Sequence, residues 1–232
     1  MSDVIEITGT IRAPFLPVTT DGHPRLSVDV KNANGEDLTG FSAQVTGLSL
    51  PFRIFLDRAS MTDQTLISVQ ATCETSTGSN VVVARLERTM SLAQATGAPV
   101  ELELQAQPDV ACDQQTAPAQ MNLVELSGQV IVPPELRHEG AFIGTALYVE
   151  QENGESNLYS SNLTEHGMTH SGNGAAFTLF VDPATIPEGR PVNLSVIFYD
   201  REENTLLATA SVPHLDLENP SDLSALELTA SA

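Results

Sequence analysis

Tryptophan is absent from this 232-residue sequence, and lysine occurs once, at Lys31. Ten basic residues face thirty acidic ones, giving a net charge of -20. Such a surface repels phosphate backbones and anionic headgroups, so nucleic acid is excluded as an expected partner. Eight phenylalanines and three tyrosines are the whole aromatic supply, too few for an obvious set of sugar-stacking platforms. No apolar run approaches the roughly 20 residues of a membrane-spanning helix, and none is expected here. Cys73 and Cys112 are too few for a zinc site; they are either a disulfide or, as we expect, two unpaired thiols. No signal peptide is read at Met1-Ser2-Asp3, which leads directly into Val4-Ile5-Glu6-Ile7. The expected location is therefore cytoplasmic unless a leader has been removed.

Hydrophobic residues make up 41% of the chain, enough for a packed core; wholesale disorder is thereby excluded. The organising stretch is Phe177 to Ala210. Phe177, Leu179 and Val181 alternate on one strand face, and Asp182-Pro183 breaks the ladder because proline has no N–H to donate. A second alternating run follows at Leu194 to Phe198. The same phrase occurs earlier, from Pro51 to Met61.

The correspondence extends through the chain. Val4-Ile5-Glu6-Ile7-Thr8-Gly9-Thr10-Ile11 aligns with Leu123-Val124-Glu125-Leu126-Ser127-Gly128-Gln129-Val130, and Asn34-Gly35-Glu36 with Asn153-Gly154-Glu155. Leu102-Glu103-Leu104 answers Leu226-Glu227-Leu228, after a small insertion around Met168 to Gly174. A period above a hundred residues means a duplicated domain. We expect residues 1–107 and 122–232 to be two copies, joined by an aperiodic linker, 108–121, that carries Pro108 and Pro118.

Within each copy the period is two, and Asn-Gly marks a tight hairpin. Strands are expected at Val4–Ile11, Arg25–Lys31, Gln44–Leu48, Phe52–Leu56, Ile67–Cys73, Val81–Leu86 and Val100–Leu104. The second set is Val124–Val132, Thr145–Glu150, Leu158–Leu163, Phe177–Val181, Asn193–Tyr199, Leu206–Val212 and Ala225–Thr229. Helix signals are poor, Leu86–Gln94 being the best. The expected fold is all-β: two tandem β-sandwich domains of about seven strands each.

Candidate chemistry is sparse. His166 and His170 have the spacing of a helical zinc pair, but Gly167, Gly172 and Gly174 make that region a loop, and the first copy has no counterpart. Acidic turns at Glu150 to Glu155 and at Asp200 to Glu203 lack the staggered ligands of a calcium loop. We find no nucleophile elbow, no activated cysteine and no phosphate loop. Neither a metal nor a cofactor is expected, nor enzymatic activity. Phe55 and Phe180 stand out: they occupy equivalent positions on the strand face opposite the inferred core. An outward aromatic in both copies suggests a covered surface, formed by the other domain or by a partner protein, although burial under a loop of the same domain is the more ordinary expectation.

Several of these motifs resemble the YbaY/YscW-like bacterial lipoproteins, the family of the type III secretion pilotins. They are Thr8-Gly9-Thr10-Ile11 and Ser127-Gly128-Gln129-Val130, the prolines at 14–17 and 133–134, Pro51-Phe52-Arg53-Ile54-Phe55-Leu56-Asp57, Phe177 to Pro183, and Ser195 to Asp200. The resemblance implies a small β-sandwich, lipid-anchored in the periplasm, which in pilotins escorts a secretin subunit to the outer membrane. Here the domain is doubled and no lipid-bearing amino-terminal cysteine stands in the sequence. The leading expectation is a non-enzymatic, envelope-associated protein-binding module of the pilotin, chaperone or assembly kind. Its partner would be a protein, an outer-membrane or secretion component in the pilotin case. The alternative is a carbohydrate-binding or adhesin-like sandwich, and a hydrolase working through surface carboxylates comes last.

Overall fold

The computed structural model describes residues 4–19, 22–57, 61–75, 81–136, 141–151, 155–166, 174–200, 205–220, 223 and 225–230. Strands dominate. The first half contains β1 (Val4–Arg12), β2 (Leu16–Pro17), β3 (Arg25–Lys31), β4 (Asp37–Gln44), β5 (Ser49–Asp57), β6 (Leu66–Glu74), β7 (Val82–Ser91), β8 (Val100–Glu103) and β9 (Gln105–Ala106). After β10 (Gln114–Gln115) come β11 (Val124–Ile131), β12 (Ala141–Glu150), β13 (Ser156–His166), β14 (Gly174–Val181), β15 (Val192–Asp200), β16 (Thr205–Val212), β17 (Leu226–Glu227) and β18 (Thr229–Ala230). Among the described residues a short α-helix, α1 (Leu92–Gly97), starts at a capping box in which Ser91 and Gln94 satisfy each other's backbone N–H groups.

Alternation of buried and exposed positions explains most strands. Leu26, Val28 and Val30 on β3 are fully buried, while Arg25, Ser27, Asp29 and Lys31 look the other way. Where Asn32 is followed by Asn34 and Gly35, Gly35 takes φ +84 and Asn32 Oδ1 accepts from the N–H groups of Asn34 and Glu36. The matching Asn153-Gly154 turn, and residues 168–173 of the insertion with His170 among them, lie outside the described residues.

Each half has its own three-stranded sheet, in the order β5-β1-β8 or β14-β11-β17. Gly9 on β1 sits opposite Phe52, and Gly128 on β11 sits opposite Phe177. A methyl group at Gly9 would fall 2.1 Å from the Val100 carbonyl oxygen, and one at Gly128 2.3 Å from that of Leu223. Both glycines are therefore fixed by close approach of backbone and aromatic ring.

The larger sheet departs from expectation. It has ten strands, in the order β18-β16-β15-β12-β13-β4-β3-β6-β7-β9. Under the repeat, β13 answers β4, β12 answers β3, and so on outward to β18 and β9, so the order is a palindrome. The fold is all-β, but the two copies are not separate sandwiches: β4 and β13 pair antiparallel and carry one sheet across both halves. Physically, β4 is an edge strand with no lysine, proline or outward bulk to block it, and an unprotected edge recruits another strand. Each three-stranded sheet packs over its own half of the common sheet, giving two cores.

One smaller expectation is also corrected. The strand expected at Gln44–Leu48 ends at Gln44 instead, because β4 begins earlier, at Asp37. The linker 108–121 is a strap bound to the first half. Its β10 pairs with β2, Leu48 N–H donates to the Pro118 carbonyl at 2.9 Å, and Val110, Cys112, Ala117 and Met121 pack on the first core. Both cysteines are free thiols; burial pushes the Cys73 thiol up to about 12, with smaller contributions from Cys112 and Glu74.

Candidate functional site

The junction of the two halves is built strand by strand. Ser42 faces Ser161, with Thr39 opposite Thr164 and Phe41 opposite Asn162. Because Ser42 and Ser161 are 119 residues apart, the offset of the repeat, the sheet has a local two-fold axis between them. Their hydroxyl oxygens lie 2.9 Å apart. The flanks are tied by Thr39 Oγ1 donating to the Leu163 carbonyl at 2.6 Å and by Arg25 and Gln44 both donating to the Leu158 carbonyl, at 2.8 and 2.9 Å.

Phe180 belongs to this junction. It is 8% exposed, joins the core of the first half and meets Phe41 edge to face, with centroids 5.9 Å apart at 86°. Its ring is covered by the other half of the same chain. Phe55, at the equivalent position, is half-buried beside the β1 strand, opposite Glu6. The repeat places Ser160 where Phe41 stands in the first copy, so the aromatic pair is not duplicated. Next to Phe180, the buried Asp182 carboxylate accepts from the Thr46 N–H at 2.8 Å and from its hydroxyl at 2.6 Å, and also caps the turn at Ala184. Arg53 bridges the halves more loosely, 3.0 Å from Glu6 and 2.9 Å from Glu125.

On the outer face of the ten-stranded sheet, directly over the two-fold axis, lies a groove of about 330 Å³. The strand registers define it row by row. Ile197, Gly144, Leu163, Gly40 and Asp29 form one cross-strand row, and Ser195, Ala146, Ser161, Ser42 and Ser27 the next. Glycine, alanine and serine make a low floor, while Tyr148, Leu158, Leu163 and Ile197 form walls. Beyond one end, Phe142 stacks on Tyr199, centroids 5.9 Å apart.

Asp29 is the acid of the groove. Its Oδ1 lies 2.7 Å from where a Gly40 Cβ would stand, so the glycine is what admits the carboxylate. Burial raises its pKa to about 6, with Asp37 adding to the rise and Lys31 opposing it. Lys31 is itself ion-paired with Asp37 at 3.1 Å. Arg25, at the other end of β3, also donates to Ser42 Oγ at 3.3 Å, and burial lowers its pKa against the pull of Glu74.

Sequence reasoning singled out Phe55 and Phe180 but missed this groove. Its signal, small residues at alternate positions of β4 and β12, is the same one that any exposed sheet face leaves. No cluster of three or more His, Cys, Asp or Glu side chains able to hold a metal ion occurs among the described residues. His166 ends β13 opposite Ala141, and its side chain lies outside the described set. No helix of the described residues is long and apolar enough to cross a membrane.

No protein-family model matches the chain, and no curated protein matches it. Among solved structures, one proposed adhesin from Bacteroides ovatus ATCC 8483 aligns over 99% of this chain and 90% of its own, at 10% identity and a TM-score of 0.25. A second, from Bacteroides ovatus, aligns over 89% and 76%, at 9% identity and a TM-score of 0.22. Superpositions of that quality establish neither a shared fold nor a shared role.

Proposed function

We propose that this chain is a non-enzymatic, envelope-associated module that binds another protein in the groove over its internal two-fold axis. The observation that carries the reading is the groove itself, a low floor of Gly40, Ser42, Gly144, Ala146 and Ser161 between apolar walls. A concave apolar site with a few convergent polar groups is the usual form of a recognition site. The floor lies on paired strands rather than on loops, so it is rigid enough to select one shape. In this reading the module works in the periplasm or at the outer membrane, in a pilotin- or chaperone-like assembly role, which the resemblance of its motifs to the YbaY/YscW-like lipoproteins supports.

Ala146→Leu fills the floor and separates this reading from others. Peptides selected from a displayed library against the wild-type chain should lose binding to Ala146→Leu by at least tenfold. Selected peptides that bind both proteins equally would put the binding surface elsewhere. A second reading, a carbohydrate-binding or adhesin-like module, draws on Tyr148 standing beside the hydroxyls of Ser42, Ser161 and Ser195. A glycan array showing binding that is lost with Tyr148→Ala would favour it.

A further inference from the structure

We infer that the groove accepts a basic side chain of the partner protein, a lysine or arginine on its alkyl stem, with the Asp29 carboxylate as counter-charge. The inference rests on the reading of the groove as a protein-binding site and names the chemistry of its occupant.

The charges around Asp29 make the case. Asp29 lines the groove together with Tyr148, Leu158, Leu163 and Ile197. The groups that act on it are Asp37 and Glu74, of like sign, and Lys31. Lys31 is already paired with Asp37 at 3.1 Å. Arg25, on the same face of β3, is turned to the Leu158 carbonyl and Ser42. Lys31, shared with Asp37, offsets only part of the effect of burial and of the neighbouring acids, and a half-buried carboxylate remains whose charge is costly. A cation arriving in the groove relieves that cost; a neutral or anionic ligand increases it. The walls suit the rest of such a side chain. Leu158, Leu163 and Ile197 offer apolar surface to a methylene stem, and the Tyr148 ring offers a face to an ammonium or guanidinium group. Gly40 and Gly144 let two groups of the groove fold down against the sheet: the Asp29 carboxylate lies over the one and the Ile197 side chain over the other. The net charge of -20 steers basic partners toward the molecule. Steering alone gives no site, whereas Asp29 fixes where the charge ends.

The test uses the full ¹⁵N-labelled chain at 150 mM salt and two acetylated, amidated peptides, Gly-Leu-Lys-Leu-Gly and the same peptide with norleucine replacing lysine. The lysine peptide should give saturable shifts at the amides of Gly40, Gly144 and Tyr148. The norleucine peptide should bind at least tenfold more weakly, and Asp29→Asn, which keeps the shape, should weaken the lysine peptide to the same degree. Equal binding of the two peptides, sensitive to Ala146→Leu, would overturn the charge assignment and leave the protein-binding groove standing. Binding of the lysine peptide unaffected by Asp29→Asn and by Ala146→Leu would show non-specific attraction to an acidic surface and overturn the inference. Absence of saturation with either peptide up to millimolar concentration would overturn both readings.

Discussion

The hydroxyl oxygens of Ser42 and Ser161 lie 2.9 Å apart, and the two residues are the same position of the repeat, 119 residues apart. Duplication of a domain whose edge strand pairs with its own copy yields this arrangement, and an isologous two-fold contact is the commonest way identical units associate. The covalent chain thus contains what a homodimer of single copies would form. The axis sets the groove, because the small residues of β4 and β13 meet there. From this geometry several outcomes follow that depend on different contacts.

Phe180→Ala should cost about 3–5 kcal/mol of folding stability, the usual loss for a large aromatic deleted from a core. Phe55→Ala, at a half-buried ring, should cost clearly less, about 1–2 kcal/mol. Urea unfolding of the intact chain measures both. Equal costs would mean that the two equivalent rings share one environment, contrary to the asymmetry of Phe41 and Ser160.

Asp182→Ala should cost about 1–3 kcal/mol, because it strands the Thr46 N–H and hydroxyl without their acceptor. Thr46→Val removes only the hydroxyl bond and should cost about 1 kcal/mol. A double-mutant cycle checks the pair: strictly additive losses would mean that the Asp182–Thr46 contact does not couple the halves.

The glycines sort by what surrounds them. Gly9→Ala and Gly128→Ala drive a methyl into backbone carbonyls, so each should lower stability by more than about 2 kcal/mol or prevent folding. Gly97→Ala, at the end of α1 with open space around it, should be neutral or stabilising by a few tenths of a kcal/mol, up to about 1. Thermal melts of the three variants decide the ranking.

Part of this was legible in the amino-acid sequence. The duplication showed because Gly9 and Gly128 must be glycine under Phe52 and Phe177, and because strand alternation fixes which positions are apolar. Phe180 was visible as an aromatic on the wrong face, which is what a covered surface requires. The continuous sheet was not visible. Whether β4 pairs with β13 depends on register between distant strands, and β4 itself hides its period: Leu38, Thr39, Gly40 and Phe41 are all buried, since a bulge lies beside Leu38 and Gly40 lies under Asp29. The groove was illegible for the same reason, as its rows exist only once five strands are aligned.

Asp29 gives a pH dependence of known sign. Its native pKa is raised to about 6 from 3.8, so the native state binds more protons than the unfolded state between those values. Stability from this group is present below about pH 4 and is lost as pH rises through about 6. Asp29→Asn should therefore stabilise the chain at pH 7–8, on the order of 1–3 kcal/mol, and by much less at pH 4. Unfolding at the two pH values, with the difference between variant and wild type taken at each, isolates Asp29 from the other acids. A variant equally or less stable at pH 7–8 would show that the carboxylate is satisfied where it stands.

The pairing of β4 with β13 is the claim on which the rest stands, and disulfide trapping tests it directly. In a background of Cys73→Ala and Cys112→Ala, Ser42→Cys with Ser161→Cys places two thiols across the axis where the hydroxyls now lie 2.9 Å apart. The paired-sheet structure predicts rapid, complete intramolecular oxidation of that pair, while a pair slipped by two residues, Ser42→Cys with Leu163→Cys, oxidises far more slowly. Failure of the Ser42/Ser161 pair to close within the chain, or equal closure of both pairs, would contradict the shared sheet and with it the groove.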